Sequence, residues 1–122
     1  MVRLITYWDG MIHINKTMSS PDIFGPKLWF LLHNSASLYP EKPTNAIKQE
    51  MKNMIIGIPS LVLCNKCKAH IRTWIYNNSD LDRVVKNRDS LFLYFLQMHN
   101  DVNRRIGKPI WTLEKAISKY LE

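Results

Sequence analysis

The sequence predicts an all-α fold: a four-helix bundle followed by a short fifth helix, with a β-hairpin extension at the N-terminus. Two observations favour it. Apolar residues recur at three- and four-residue spacing in several long segments, and proline or glycine separates one segment from the next. The 122 residues, 46% of them hydrophobic, are enough to fill one core. We therefore expect an extension over residues 1–20 and a single helical domain over residues 21–122.

The extension is expected to form a β-hairpin over residues 4–16. Two β-prone runs, LITYW and MIHINK, flank Asp9 and Gly10, a pair that favours a two-residue type I′ turn. A lone hairpin is only marginally stable in water. We therefore expect it to dock on the helical domain or on a partner, where it would serve dimer contacts or substrate binding.

Prolines and glycines mark the first two helices. Gly25 can cap the first helix and Pro26 suits its first turn, and apolar residues follow at helical spacing as far as Tyr39. The second helix is expected over residues 44–57, where Pro43 precedes it and glycine and proline end it. The chain then leads into its cysteine pair.

Three further helices are expected after the cysteine pair. The third covers residues 65–76 and ends at the polar NNSD turn. The fourth is readable from Ser90 and repeats apolar residues on one face until Gly107 and Pro109 break it. A short fifth helix covers residues 112–121, and the short connections are typical of a bundle.

The charge of the chain narrows the classes of partner. Seventeen Lys and Arg against ten Asp and Glu give a net charge of +7, which attracts polyanions, acidic proteins or a phosphate-bearing cofactor. The cations are spread along the chain, which favours a solvated basic surface over a nucleic-acid site. No segment has eighteen consecutive apolar residues, so we expect neither a membrane span nor a secretory signal.

Both cysteines lie in the stretch LCNKCKAH, residues 63–70. A C-x-x-C pair at the start of a helix lies at the positive end of the helix dipole, where a thiolate is stabilised and its pKa falls. Lys66, Lys68, His70 and Arg72 add to that positive field. The pattern indicates a redox-active disulfide that exchanges with a substrate dithiol.

Three other readings remain open from these residues alone. Cys64, Cys67 and His70 with one more histidine could bind zinc, although no second C-x-x-C or H-x-x-x-H motif is present. The two thiols could also be inert, in a binding module without a flavin, and the charge leaves room for a basic helical protein associated with nucleic acid. The sequence lacks a G-x-G-x-x-G motif, which excludes a Rossmann dinucleotide-binding domain, and it lacks the strands of a thioredoxin fold, which excludes that fold.

Three blocks in the sequence favour the redox reading. They are FGPKLWFLLHNSASLYP at residues 24–40, LCNKC at residues 63–67 and HNDVNRRIGKP at residues 99–109. In this order and spacing they resemble the Erv/ALR family of FAD-dependent sulfhydryl oxidases. The resemblance implies a flavin-holding helical bundle, usually a homodimer, that oxidises a protein dithiol and passes two electrons through FAD to oxygen, giving hydrogen peroxide.

The resemblance also implies roles for individual residues. By their positions in the motifs, Cys67 resembles the thiol next to the flavin ring and Cys64 the outer thiol that substrates attack. No metal site is implied. The residues that match cofactor-binding positions of the family are Gly25, Trp29, His33, Tyr39, Cys67, His99, Asn100, Val102, Asn103 and Lys108.

The sequence departs from the family in two ways. It contains neither the shuttle cysteine pair that many members have on an extension nor their long-range structural disulfide, because Cys64 and Cys67 are its only cysteines. In this it resembles the minimal oxidases of large cytoplasmic DNA viruses. The resemblance therefore implies a location in the host cytoplasm or the virion, and a partner that is a thioredoxin-like protein or a virion structural protein with a dithiol.

Overall fold

The computed structural model describes residues 20–120, and every regular element in that range is helical. This confirms the predicted all-α fold for these residues, whereas the expected hairpin at residues 4–16 lies outside them. The helices, in chain order, are α1 (Pro21–Ser37), α2 (Asn45–Gly57), a 3₁₀ helix (Ile58–Leu61), α3 (Asn65–Asn77), α4 (Leu81–Val84), α5 (Arg88–Ile106) and α6 (Leu113–Tyr120). The five expected helices are all present, and the 3₁₀ helix and α4 are additional short turns.

The first helix begins earlier than the sequence prediction. Ser20 caps α1 by accepting a hydrogen bond from the amide of Asp22 at 3.3 Å, and Pro21 occupies the first helical position. Pro26 therefore lies inside the helix instead of starting it. Pro26 leaves the carbonyl of Asp22 without its usual helical donor, and Gly25, which has no Cβ atom, removes one of the steric conflicts between the proline ring and the preceding residue.

The sequence predicts the C-terminal end of α5 correctly but places its N-terminal end too late. Asn87, not Ser90, caps the helix, and its side chain accepts a hydrogen bond from the amide of Ser90 at 2.9 Å. The C-terminal end agrees with the prediction because Gly107 adopts a left-handed conformation with φ of 75°, which favours glycine. The Lys108 amide then donates to the carbonyl of Asn103 at 2.8 Å.

The core lies between α1 and α5, which pack along each other. α6 covers one end of this pair, and α2, the 3₁₀ helix and α3 close the other side. Phe95, Leu91 and Met98 from α5 are fully buried against Ile55 and Ile58. Within residues 20–120, no helix is long and apolar enough to cross a membrane.

Candidate active site

A cavity of about 460 Å³ opens where the N-terminal half of α1, the start of α3, the last turns of α5 and α6 meet. The structure places seven of the ten predicted cofactor residues on its wall. These seven are Gly25, Trp29, Cys67, His99, Val102, Asn103 and Lys108. The three motif blocks, which are far apart in sequence, are therefore brought to one cavity.

Aromatic rings form a large part of this wall. The rings of Trp29 and His99 are stacked, with centroids 4.2 Å apart and planes 9° from parallel. Tyr120 of α6 stacks on Trp111 at 5.8 Å, and the Trp111 and His99 rings are 5.5 Å apart. Such flat, mostly apolar surfaces suit a planar ring system.

His33 and His99 form a buried hydrogen-bonded pair between α1 and α5. Nε2 of His33 and Nδ1 of His99 are 3.0 Å apart, and Nδ1 of His33 is buried with no partner among the described residues. A buried N–H group without an acceptor is rarer than a buried nitrogen without a donor. We therefore assign the hydrogen to Nε2 of His33. His99 then accepts at Nδ1 and keeps its Nε2–H for a group in the cavity.

Both imidazoles are neutral at pH 7. Burial, with the nearby His99 ring as a smaller cause, lowers the pKa of His33 from 6.5 to about 3. Burial also lowers the pKa of His99 to about 4, and the positive charges of Lys108 and Lys119 add to this effect. Each ring can thus donate and accept hydrogen bonds without a charge of its own.

The histidine pair should make the protein sensitive to acid. Since the pKa of each imidazole is lower in the folded state, the unfolded chain binds more protons below pH 6.5, and the free energy of unfolding falls as the pH is lowered. At pH 5 we expect a loss of about 2 kcal/mol for each ring, because one pKa unit corresponds to about 1.36 kcal/mol. Urea unfolding of the cofactor-free protein at pH 7 and pH 5 measures this loss.

The matched variant for this prediction is His33→Gln, whose amide does not titrate in this range. Its loss of stability between pH 7 and pH 5 should be smaller than that of the unchanged protein by about 2 kcal/mol. An equal loss in both proteins would show that the titration of His33 does not govern acid stability.

Three predicted cofactor residues lie away from the cavity wall. His33 is fully buried behind His99 and Tyr120. Tyr39 lies past the C-terminal end of α1, where its hydroxyl donates to the carbonyl of Val85 at 2.8 Å and burial raises its pKa. His33 lies one helical turn beyond Trp29, beneath the cavity wall, whereas Tyr39 lies at the end of α1 opposite the cavity.

Asn100 does not line the cavity, but it holds a residue of the cavity wall in place. Its side chain accepts from the amide of Trp111 at 2.8 Å and donates to the carbonyl of Trp111 at 2.9 Å. These two bonds fix the turn after Gly107 against α5. Asn100 therefore holds Trp111, which lines the cavity, while lying outside the lining itself.

Sequence reasoning missed the contribution of α6 and of the residues just before it. Trp111, Lys115, Lys119 and Tyr120 all line the cavity. The ammonium groups of Lys115 and Lys119 lie 4.8 and 5.4 Å from the centroid of the Trp111 ring. Lys115 and Lys119 are four residues apart in the predicted fifth helix, and this spacing could have revealed that they share a face.

The cavity is lined by cations and by no carboxylate of residues 20–120. Arg105 and Lys108 each face an acidic side chain nearby, Asp101 at 2.9 Å and Asp22 at 3.4 Å. Lys115 and Lys119 have no such ion pair within the described part of the chain. The mouth of the cavity therefore suits an anionic ligand.

The two cysteines differ in position and in acidity. Cys64 caps α3 and accepts a hydrogen bond from the amide of Cys67 at 3.3 Å, whereas Cys67 lies in the first turn and lines the cavity. A hydrogen bond from the Cys67 thiol, followed by those of nearby amides, lowers the pKa of Cys64. Burial raises the pKa of Cys67 to about 11. In the reduced pair, the thiolate is therefore on Cys64.

The family model described as "Erv1 / Alr family" matches residues 26–121, which include every element around the cavity except the first turn of α1. The chain belongs to the Erv1/Alr family. This confirms the resemblance found in the three sequence blocks.

Erv1/Alr relatives occur in viruses and in mitochondria. The chain is 38% identical over 100 residues to 096R of Invertebrate iridescent virus 3, whose name marks it as a candidate FAD-linked sulfhydryl oxidase; the match covers 82% of this chain and 67% of that protein. The mitochondrial FAD-linked sulfhydryl oxidase erv1 of Schizosaccharomyces pombe is 30% identical over 96 residues, which cover 77% of this chain and 52% of that one.

Solved Erv1 structures have the same architecture. The crystal structure of the yeast Erv1 core superimposes with a TM-score of 0.75 at 28% identity and covers 83% of each chain. The FAD binding domain of Erv1 from Saccharomyces cerevisiae gives a TM-score of 0.73 at 28% identity, covering 80% of this chain and 90% of that domain. The Erv1/Alr fold thus accounts for most of the described residues.

Proposed function

We infer that this chain is an FAD-dependent thiol oxidase that forms disulfides in protein substrates. It converts a dithiol and oxygen into a disulfide and hydrogen peroxide. The observation that supports this most directly is the position of the cysteine pair: Cys67 lies on the wall of the aromatic, cation-lined cavity, and Cys64 lies outside that lining. One sulfur can therefore face a cofactor while the other meets a substrate.

The residues of the cavity suit FAD. Trp29, His99 and Trp111 offer flat surfaces for its rings, and Lys115 and Lys119 can neutralise its diphosphate. The Nε2–H of His99 is a neutral donor for a polar atom of the same ligand. Bound FAD would supply the transfer of two electrons to oxygen.

The exchange with the substrate follows from the positions of the two sulfurs and from the lowered pKa of Cys64. A substrate thiolate attacks Sγ of Cys64 in the oxidised pair, the bond between Cys64 and Cys67 breaks, and Cys67 leaves as the thiolate. The second substrate thiolate then attacks the substrate sulfur of the mixed disulfide and expels Cys64. The lowered pKa of Cys64 makes it the better leaving group in this second step.

A direct experiment tests the function. Purified protein should be yellow with the absorbance of a flavin, and it should take up oxygen when dithiothreitol is added. A colourless protein with stoichiometric zinc and no oxygen uptake would contradict the proposal and favour a binding module with a structural cysteine pair.

We propose that the oxidase is a homodimer whose two copies meet through α1. Phe30 and Leu31 are 60% and 61% exposed, and Leu38 at the end of the helix is 83% exposed. Phe30, Leu31 and Pro26 line a shallow apolar groove on this face. A single soluble chain gains nothing from such exposed side chains on one helix, whereas a second copy would bury them.

The variant Leu31→Glu should convert the dimer to a monomer, because it would bury two like charges at the contact. Sedimentation velocity measures the change. Leu93→Glu on α5, where the side chain is 42% exposed, is the matched control and should leave the mass unchanged. A dimer that persists in Leu31→Glu, or dissociates equally in both variants, would place the interface elsewhere.

We also propose a partner and a location. A thioredoxin-like protein or a virion structural protein would present the dithiol, in the host cytoplasm or in the virion. The relatives in Invertebrate iridescent viruses 3 and 6 support a viral source.

A further inference from the structure

A small apolar surface lies immediately before Cys64. Val62 is buried in the core and is 1% exposed, whereas Leu61 and Leu63 on either side of it are 54% and 52% exposed. Leu61 ends the 3₁₀ helix, and Val62 and Cys64 after it both have extended backbone conformations. Val62 thus anchors the segment and leaves two leucines outside, next to the cysteine that meets the substrate.

The same region has an unusual charge pattern. No Asp or Glu occurs in the sequence between Glu50 and Asp80, while Lys66, Lys68 and Arg72 lie on α3. None of these three cations forms an ion pair with a carboxylate of the described chain. The charge of Lys66 is close enough to act on Cys64, and the N-terminal end of α3 adds its positive dipole.

Several cations elsewhere in the described residues face a carboxylate. Arg83 faces Asp80 at 3.4 Å, Arg88 faces Glu41 at 3.7 Å, and Arg105 faces Asp101 at 2.9 Å. Six cations of the described chain have such a partner, whereas Lys66, Lys68 and Arg72 are among those that have none, so no carboxylate offsets their charge beside Cys64. An approaching polypeptide with acidic side chains would be attracted there first.

We propose that Leu61, Leu63, Lys66 and Lys68 form the docking surface for the protein substrate, and that they select a dithiol segment with an apolar residue beside its cysteine and acidic residues close by. The proposal rests on the thiol oxidase function inferred above. The apolar residue would cover the two leucines, and the acidic residues would approach the lysines. A substrate cysteine held there would lie beside Cys64, where the exchange described above takes place.

The experiment compares peptide substrates on the protein loaded with FAD. Two synthetic peptides contain the same Cys-x-x-Cys dithiol with a leucine beside the first cysteine, and they differ only in flanking glutamates or lysines. At low salt we expect kcat/KM to be about tenfold higher for the acidic peptide, and we expect added salt to reduce this ratio. Oxygen uptake with dithiothreitol, which has no flanking charge, is measured in parallel on the unchanged protein.

Variants of the protein test whether Lys66 and Lys68 cause the preference for the acidic peptide. In the double variant Lys66→Gln, Lys68→Gln the ratio between the two peptides should fall to about twofold or less. The control is Lys42→Gln, Lys86→Gln, which removes the same charge from two exposed lysines and should keep the full ratio. Lys42 follows the C-terminal end of α1, and Lys86 follows Val85, whose carbonyl binds Tyr39, so both lie at the end of α1 opposite the cavity.

A separate variant tests the contribution of the exposed leucines to the docking surface. Leu63→Ser changes an exposed side chain, so the fold should not be affected. It should raise KM for the acidic peptide, and it should remove the advantage of that peptide over a version with serine in place of its leucine. Leu93→Ser is the control for loss of an exposed leucine elsewhere and should preserve that advantage.

The outcomes separate the docking surface from the oxidase function. Equal kcat/KM for the acidic and basic peptides, with normal oxidation of dithiothreitol, would overturn the docking proposal and leave the oxidase function intact. No oxygen uptake with dithiothreitol would overturn the function and, with it, the docking proposal. A charge preference that both double variants lose equally would show that net charge, not this surface, selects the substrate.

Discussion

Replacing Cys67 with serine will reduce thiol-dependent oxygen uptake to the background rate of the dithiol in air. The reason is that no disulfide can form with Cys64, so the enzyme has no group that a substrate thiolate can reduce. The side chain is similar in size and only half-buried, so the fold and the binding of FAD should persist. The measurements are oxygen consumption with dithiothreitol and the flavin absorbance of the purified variant.

The same variant distinguishes the roles of the two cysteines. When it is mixed with an excess of a peptide whose single cysteine is oxidised to an intermolecular disulfide, the Cys64 thiolate should attack that disulfide, bind one peptide through a mixed disulfide and release the other peptide as a free thiol. Mass spectrometry would show the added peptide. Cys64→Ser is the control and should trap far less, because burial, which the variant does not change, raises the pKa of the remaining Cys67 thiol. Equal trapping, or turnover that persists in Cys67→Ser, would contradict the assignment.

The double variant Lys115→Gln, Lys119→Gln will weaken FAD binding by about 10- to 100-fold. Hydrogen bonds to charged groups contribute about 1.5–3 kcal/mol each, and partial exposure of these two lysines reduces that value. Because the lysines neutralise charge at the cavity mouth, the variant should also bind FAD with a weaker dependence on salt. Titration of the apoprotein with FAD, followed by flavin fluorescence at two salt concentrations, measures both effects.

The control for this prediction is again Lys42→Gln, Lys86→Gln, which removes an equal charge at the opposite end of α1. It should lower the affinity for FAD by no more than about twofold, as expected for distant exposed charges. If both double variants bind FAD equally well, α6 contributes no charge to the cofactor site and the diphosphate must lie elsewhere.

The sequence was sufficient to predict the helices but not all of their ends. Apolar spacing predicted α3 and α5 because their buried faces follow the helical period closely. The start of α1 was placed at Pro26 because a proline usually begins a helix. The Ser20-Pro21 pair begins it five residues earlier, and Gly25, which has no Cβ atom, reduces the steric conflict with the ring of Pro26.

The sequence motifs predict residues of the cavity wall that lie close together within one helix. Trp29 and Cys67 line the cavity, and His99 and Asn103 share one face of α5 because they are one turn apart. The same spacing was less informative on α1, because Trp29 reaches the cavity and His33, one turn further, lies beneath it. The position of α6 on the cavity depends on the left-handed turn at Gly107, which sets the direction of the chain after α5. The spacing of apolar residues predicts helices but not the direction in which one helix follows another.

The last helix has a consequence for how ligand binding is coupled to stability. α6 has only eight residues and a single buried side chain, Ala116, so it would not be stable as a helix alone in water. A ligand that contacts Lys115 and Lys119 therefore also orders this segment. At a hundred times its Kd, such a ligand adds about 2.7 kcal/mol to stability. Slower amide hydrogen exchange in the last turns of the chain would then report, residue by residue, how fully the enzyme is loaded.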